Sequence, residues 1–371
     1  MPTLRTRRRN HRPRSRPSPS GPHKMPRRKP IPITIVTGPK GAGKTTLINR
    51  LLTAPLFANT AVILNDFGEV ALQNALVEKA EDGFIALGSG CVCCTVRGAL
   101  TDGLERLLRD LDNGRITAIT RVVIEADEAA DPAAILEAVA RHPYLSLRFV
   151  PDGIIAVLDA TKAETTLAAR ADTVRQVAMA DVVGLSRSAP VKDKIARLNP
   201  RAAIVDASNA AAKALVGHGA FEGDGSVDAW LGPVPSESPG DLAGEASRIN
   251  AFTVVRENII PIAALDRFLD YLAALQGPNL VRVRGVIASG DAEIVIVDGY
   301  GGFFHPPLIL DAPELGPPLT CFSVVARDLD RKTFETYLDA FLNEAMIDTP
   351  DRQALTENPL VIAGFSARGG R

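Results

Sequence analysis

The 371-residue chain lacks any apolar run approaching the roughly 20 residues that span a bilayer. No membrane-spanning helix is expected within these residues, and no membrane among the partners. Its first thirty residues lack the apolar core of a secretory signal. Cysteine is scarce: there are four, and three of them, Cys91, Cys93 and Cys94, fall within four residues. Neighbours this close are poorly placed to bridge each other, which speaks against a disulfide framework and for a reducing, cytoplasmic setting. Net charge is nearly absent, at −1. Neither an internal repeat nor a Ser-His-Asp or Cys-His arrangement for nucleophilic catalysis is found.

The small net charge conceals an asymmetry. Residues 1–30 hold eleven Lys and Arg and no acidic residue, which leaves −12 for the rest of the chain. An acidic body gives no electrostatic reason to expect nucleic acid as a partner. The basic head, from Arg5-Thr-Arg-Arg-Arg9 through Arg14-Ser-Arg-Pro-Ser-Pro-Ser20, is too rich in proline and charge to pack a core and reads as a disordered tail. Met25, eight residues before the first strand, is an alternative translation start.

What is present is concentrated early. Gly38-Pro39-Lys40-Gly41-Ala42-Gly43-Lys44-Thr45 fits G-x-x-x-x-G-K-[ST] in full. A β-branched run, Ile33–Thr37, precedes it as a strand, and Thr46-Leu-Ile-Asn-Arg-Leu-Leu52 follows as a helix. Glycines let successive backbone N–H groups face one anion, and the helix N-terminus adds unsatisfied donors and partial positive charge. In such a loop Lys44 reaches the β- and γ-phosphates and the Thr45 hydroxyl holds Mg²⁺.

Further strands are expected at 61–65, 121–125, 153–159, 181–185 and 202–205, with helical sequence between them, including 99–111 with Leu100, Leu104, Leu107, Leu108 and Leu111 on one face. Asp131-Pro132 opens another helix as N-cap and first position. The alternation predicts an α/β domain over 31–216, a parallel sheet with helices on both faces. Residues 217–247 are rich in Gly, Pro, Ser, Asp and Glu around the single Trp230, and read as a linker. A smaller α+β domain is expected over 248–345, with strands at 249–255, 281–287, 293–297 and 321–325, helices near 263–275 and 332–343, and a tail from 346.

The triplet Cys91-Val-Cys93-Cys94 offers soft thiolates to Zn²⁺ or Cu⁺. Two of the three with a carboxylate or water make a plausible single site; the alternative is three small buried apolar residues. Two glycines just before the triplet favour a shaped, accessible loop. His305, in Phe303-Phe-His-Pro-Pro307, reads as a loop or surface residue rather than a ligand.

Taken together, Gly38–Thr45, Asn65-Asp-Phe-Gly-Glu69, Gly90-Cys-Val-Cys-Cys-Thr-Val-Arg97 and Glu125-Ala-Asp-Glu-Ala-Ala-Asp-Pro132 resemble the CobW-like family of P-loop GTPases, and Arg282-Val-Arg-Gly285 resembles its C-terminal domain. The resemblance implies GTP binding and hydrolysis with Mg²⁺, coupled to Zn²⁺ or Co²⁺ binding and delivery to a client metalloprotein. It implies a phosphate site at Gly38 to Thr46, with Lys44, Thr45 and Glu125 serving hydrolysis. It also implies a metal loop of Cys91, Cys93 and Cys94, with Asp66 and Glu69 as carboxylates able to reach metal or Mg²⁺. Two departures stand out. The family's Glu-Thr-Ser/Thr-Gly reads Glu125-Ala126-Asp127-Glu128 here, which brings a negative charge towards a triphosphate. The guanine-reading Asn-Lys-x-Asp is replaced by Ser186-Arg187-Ser188-Ala189, which lacks the bidentate acceptor for the base while Arg187 can still stack on it. A degenerate, non-hydrolysing nucleotide- and metal-binding module is therefore the alternative.

Overall fold

The computed structural model describes residues 29–64, 84–86, 95–116, 118–185, 191–219, 244–289, 293–311 and 320–342. Two sheets organise them. The first has seven strands: β1 (Ile31–Thr37), β2 (Thr60–Leu64), β3 (Phe84–Ala86), β4 (Arg121–Glu125), β5 (Phe149–Leu158), β6 (Val182–Leu185) and β7 (Ala203–Asp206). Their order is β3-β2-β4-β1-β5-β6-β7, and every neighbouring pair is parallel. β1 lies at the centre and is buried along its whole length, so both faces of Ile31-Pro-Ile-Thr-Ile-Val-Thr37 meet side chains rather than water. That is why it reads as a continuous apolar and β-branched run instead of an alternating one.

Helices cover both faces. On one side α1 (Lys44–Leu52) packs Leu47, Ile48 and Leu51 against Val36, Val62, Val123, Ile155 and Val157. On the other, α2 (Thr95–Asp112) contributes Leu100, Leu104, Leu107 and Leu108. Beside it lie α3 (Pro132–Ala140), α4 (Ala163–Ala169), α5 (Ala171–Met179) and α6 (Lys192–Leu198). The leucine periodicity found in the sequence is therefore the buried stripe of α2, while the helix starts four residues earlier than expected, at Thr95. α3 begins as its sequence dictates: the Asp131 carboxylate accepts from the Ala133 N–H at 3.0 Å, with Pro132 at the first position.

The second sheet is antiparallel. It contains β8 (Ile249–Arg256), β9 (Leu280–Ala288), β10 (Glu293–Tyr300), β11 (Phe303–Phe304), β12 (Leu308–Asp311) and β13 (Thr320–Arg327), ordered β11-β10-β9-β13-β8, with β12 also paired to β10. One face carries α7 (Ile262–Gln276) and α8 (Arg331–Leu342) over Val283, Val295, Phe322 and Val324. Phe268, Phe322 and Phe334 meet edge to face there, with centroids 5.6–5.8 Å apart.

The opposite face is buried against the first unit. Ile249, Val281, Tyr300 and Val325 join the same core as α3 and α5. Charged residues are buried there as well. Arg282 and Arg284 on β9 both pair with Asp181, just before β6, and Arg282 reaches Asp298 at 3.0 Å. The Arg282 guanidinium lies 3.5 Å from the Tyr300 ring centroid. Burial works to raise the Asp181 pKa, but the two guanidiniums outweigh it and hold the carboxyl below its ordinary value. Asp181 also accepts from the Ile154 N–H of β5 at 2.8 Å, so one carboxylate ties together β5, β6 and β9. His305 lies in a loop just after β11, one of the two settings expected for it, and is buried where the two units meet. It borders a small apolar cavity with Leu136, Phe149 and Pro151.

Candidate functional site

The site is built at the C-terminal ends of the central strands, where an open parallel sheet binds ligands. β1 ends at Thr37, the loop Gly38–Gly43 turns back, and α1 starts at Lys44. Three glycines make the turn possible. Gly38, Gly41 and Gly43 have φ of 136°, 77° and 97°, a region that L residues avoid. Gly38 also runs so close to β5 that a Cβ would overlap the Val157 carbonyl oxygen. The first turn of α1 contains no acidic side chain that would compete for its free N–H groups.

Lys44 lies over this loop, its Nζ donating to the Gly38 carbonyl at 2.7 Å and the Pro39 carbonyl at 3.3 Å. Thr45 points the other way. Its hydroxyl donates to Glu125 Oε1 at 3.0 Å, with Oε2 at 3.2 Å. Glu125 is the last residue of β4, which pairs with β1, and is 8% exposed. The structure thus brings Thr45, next to Lys44, onto Glu125, 80 residues further along the chain, through the register of two adjacent strands. A hydroxyl and a carboxylate side by side are hard oxygen donors of the kind Mg²⁺ takes, two from the protein with the remainder from water and phosphate. The donor set fits that ion.

Beside the loop a cleft of about 540 Å³ opens between α1 and the ends of β5 and β7. Gly41, Ala42, Gly43 and Thr46 line it on the loop side, and Asp159, Thr161, Ala207 and Ser208 on the far side. Asp159 is oriented by its own turn, accepting from the Thr161 N–H at 3.0 Å and the Thr161 hydroxyl at 2.8 Å. Sequence reasoning did not single out Asp159, Thr161, Ala207 or Ser208. The available signal was positional: each follows the C-terminal end of a strand.

Glu128 also enters the site. Its Oε2 accepts from the Lys40 backbone N–H at 3.0 Å and from Arg170 at 3.2 Å. Arg170, in the extended link between α4 and α5, was likewise not anticipated. Its pKa is raised, first by its hydrogen bond to Asp172 and further by the charges of Asp172 and Glu128.

The remaining expected site residues, Asp66, Glu69, Cys91, Cys93, Cys94, Ser186 and Arg187, lie outside the described residues. Their neighbours are described: β2 ends at Leu64, α2 begins at Thr95, and β6 ends at Leu185. Among the described residues no cluster of three His, Cys, Asp or Glu side chains is placed to hold a metal, and no helix is long and apolar enough to cross a membrane. The fourth cysteine, Cys321, is free and buried on β13; burial raises its thiol pKa.

Comparison with known proteins agrees with this geometry. Residues 32–215 match the CobW/HypB/UreG nucleotide-binding domain, and residues 249–342 match the cobalamin synthesis protein cobW C-terminal domain. The chain is 35% identical to the zinc chaperone YjiA of Escherichia coli over 181 residues, which is 47% of this chain and 57% of YjiA. It is 29% identical to the zinc-regulated GTPase metalloprotein activator 1 of Schizosaccharomyces pombe over 192 residues, 48% of this chain and 46% of that protein. It is 31% identical to the zinc chaperone CobW of Pseudomonas aeruginosa over 156 residues, 39% of this chain and 40% of that protein. The matched stretches thus span about half the length of these curated relatives. The fold resembles the crystal structure of the Zn(II)-bound YjiA GTPase from E. coli, with a TM-score of 0.59 at 23% identity over 85% of this chain and 99% of that one. A zinc-bound triple mutant of YjiA gives 0.64 at the same identity and coverage. With a nucleotide-binding domain and a C-terminal domain matched in succession, the chain belongs to the CobW family.

Proposed function

We propose that this protein binds GTP with Mg²⁺, hydrolyses it, and couples that cycle to binding a transition metal, zinc or cobalt, and passing it to a client metalloprotein in the cytoplasm. The observation that carries the nucleotide half is the Thr45 hydroxyl at 3.0 Å from Glu125 beside the glycine loop. Lys44 supplies the ammonium for the β/γ-phosphates, and charge-assisted contacts of this type are the strong ones. Thr45 and Glu125 would hold Mg²⁺, which supplies neutralisation of the phosphate oxygens when bound. The metal half rests on Cys91, Cys93 and Cys94, with Asp66 and Glu69 as oxygen donors, and on the names of the relatives: two are zinc chaperones and one a zinc-regulated GTPase metalloprotein activator. In this reading the metal is cargo, and the cysteine thiols lose their protons to hold it as thiolates, so binding releases protons.

By the family resemblance Ser186 and Arg187 replace the base-reading motif, and Asp159 and Ser208 line the cleft beside the loop. The alternative, a nucleotide- and metal-binding module that does not hydrolyse, is favoured by one observation: Glu128 already occupies a loop amide. Phosphate release from GTP and from ATP, with and without Zn²⁺ or Co²⁺, decides between them. Turnover above a Lys44→Ala control is expected; turnover equal to that control rejects the enzyme. Metal binding is tested separately by a Cys93→Ser/Cys94→Ser double variant, which is expected to abolish tight zinc binding because a hydroxyl is a poor ligand for this ion. If metal and nucleotide sites are coupled, each ligand changes the affinity of the other by the same factor, a reciprocity that calorimetry measures directly.

A further inference from the structure

The loop from Gly38 to Lys44 is an anion cradle, and its working parts are backbone N–H groups. One of them is already engaged. The Lys40 N–H donates to Glu128 Oε2 at 3.0 Å, so a side-chain carboxylate occupies part of the cradle. Its position is fixed from behind. Gln176, 1% exposed, donates through Nε2 to the Glu128 carbonyl at 2.9 Å and to the Ala130 carbonyl at 3.1 Å, and the Glu128 N–H is taken by the Asp127 side chain at 2.6 Å. The segment after Glu125 is thereby pinned on α5, and Glu128 projects from it onto the loop. On its outer side Glu128 meets Arg170, which is shared with Asp172 at 2.7 Å.

From this geometry we infer that Glu128 is a specificity-determining residue that sets how many phosphates the site accepts, favouring a nucleoside diphosphate over a triphosphate. The inference rests on the reading of this loop as a nucleotide site. A fixed carboxylate on the amide of Lys40 competes with a terminal phosphate for the same donor and repels its charge. A shorter phosphate chain avoids both penalties. A triphosphate must draw the Lys40 amide away from Glu128 and leave the carboxylate to Arg170 alone. Arg170 is therefore the counterweight, the group that makes release of the loop feasible.

The test is calorimetry in Mg²⁺ with GDP and with the β,γ-imido analogue of GTP, on the full chain and on Glu128→Gln and Glu128→Gly. The Glu128 side chain is 31% exposed, so neither change opens a core cavity. The wild-type protein is expected to bind GDP roughly tenfold or more tightly than the imido analogue, and both variants to close that gap by about the same factor. The gain must come from the triphosphate analogue, with GDP affinity nearly unchanged. Arg170→Ala is expected to widen the gap. A ratio that is the same in wild type and both variants, or a wild type that prefers the triphosphate, overturns the inference while leaving the nucleotide site intact. No binding of either nucleotide to any of the proteins overturns the nucleotide reading itself, and the inference with it.

Discussion

At the scale of single residues, the site depends on what can be left out as much as on what is present. Gly38 has no room for a side chain, since a Cβ would meet the Val157 carbonyl, and its φ of 136° is closed to alanine as well. Gly38→Ala should therefore distort the loop against β5 and cost several-fold in nucleotide affinity together with stability. Titration by calorimetry alongside thermal unfolding checks both, and wild-type values in each would show the loop to be more plastic than its geometry implies. Lys44→Ala acts differently. It removes one charge and its hydrogen bonds to the Gly38 and Pro39 carbonyls but leaves every backbone torsion allowed, so affinity should fall about tenfold or more, about 1.4 kcal/mol, with a smaller shift of the unfolding midpoint than Gly38→Ala causes. Comparing the two variants separates the shape of the cradle from its charge.

At the scale of elements, much could be read in advance and the reasons are local. The loop glycines, the Thr45 position and the Asp131-Pro132 helix start are signals written within a few residues. β1, β4 and β5 are long enough to show as apolar runs. β3, with three residues, and β11, with two, are too short to carry any periodicity, and none was expected there. Partners across long stretches of chain were also invisible: nothing near Glu128 points to Lys40 or Arg170, and nothing near Val281-Arg-Val-Arg284 names Asp181. Alternation shows that Arg282 and Arg284 share a face, not what covers that face. The α3 start offers a prediction at this level. Asp131 both caps Ala133 and pairs with Arg175 at 2.9 Å. Asp131→Ala should cost about 1–2 kcal/mol by denaturant titration. Asp131→Asn keeps the cap and should recover most of the loss; if it does not, the ion pair with Arg175 carries the stability instead.

At the scale of the whole molecule, the two sheets are held by buried charge as well as by apolar contact. Removing one partner from such a pair leaves the other uncompensated, so Arg284→Ala should destabilise by about 3–5 kcal/mol, well beyond a surface substitution. An equilibrium unfolding curve measures it, and a loss under 1 kcal/mol would show that Arg282 alone satisfies Asp181. His305 adds a pH dependence. Burial, the largest influence, lowers its pKa below 6.5, so the unfolded chain takes up the proton first as the pH falls. Its contribution is present in full above about pH 6.5 and is lost as the pH drops towards the lower folded value. The stability lost between about pH 7 and pH 5 should shrink in His305→Gln, as read from unfolding midpoints across that range. A slope identical to wild type would place the histidine in water.

The Asp181 bridge also sets a clock. Arg284 lies 103 residues beyond Asp181 in the chain. At the ~5–20 residues per second of ribosomal synthesis, Asp181 waits about 5–20 s for its cation. During that interval the nascent nucleotide-binding half lacks the two guanidiniums that face Asp181 and the sheet that covers its apolar flank. Its last strands go without that ion pair until β9 has left the ribosome. The first half of this protein is thus born as a client of its own second half.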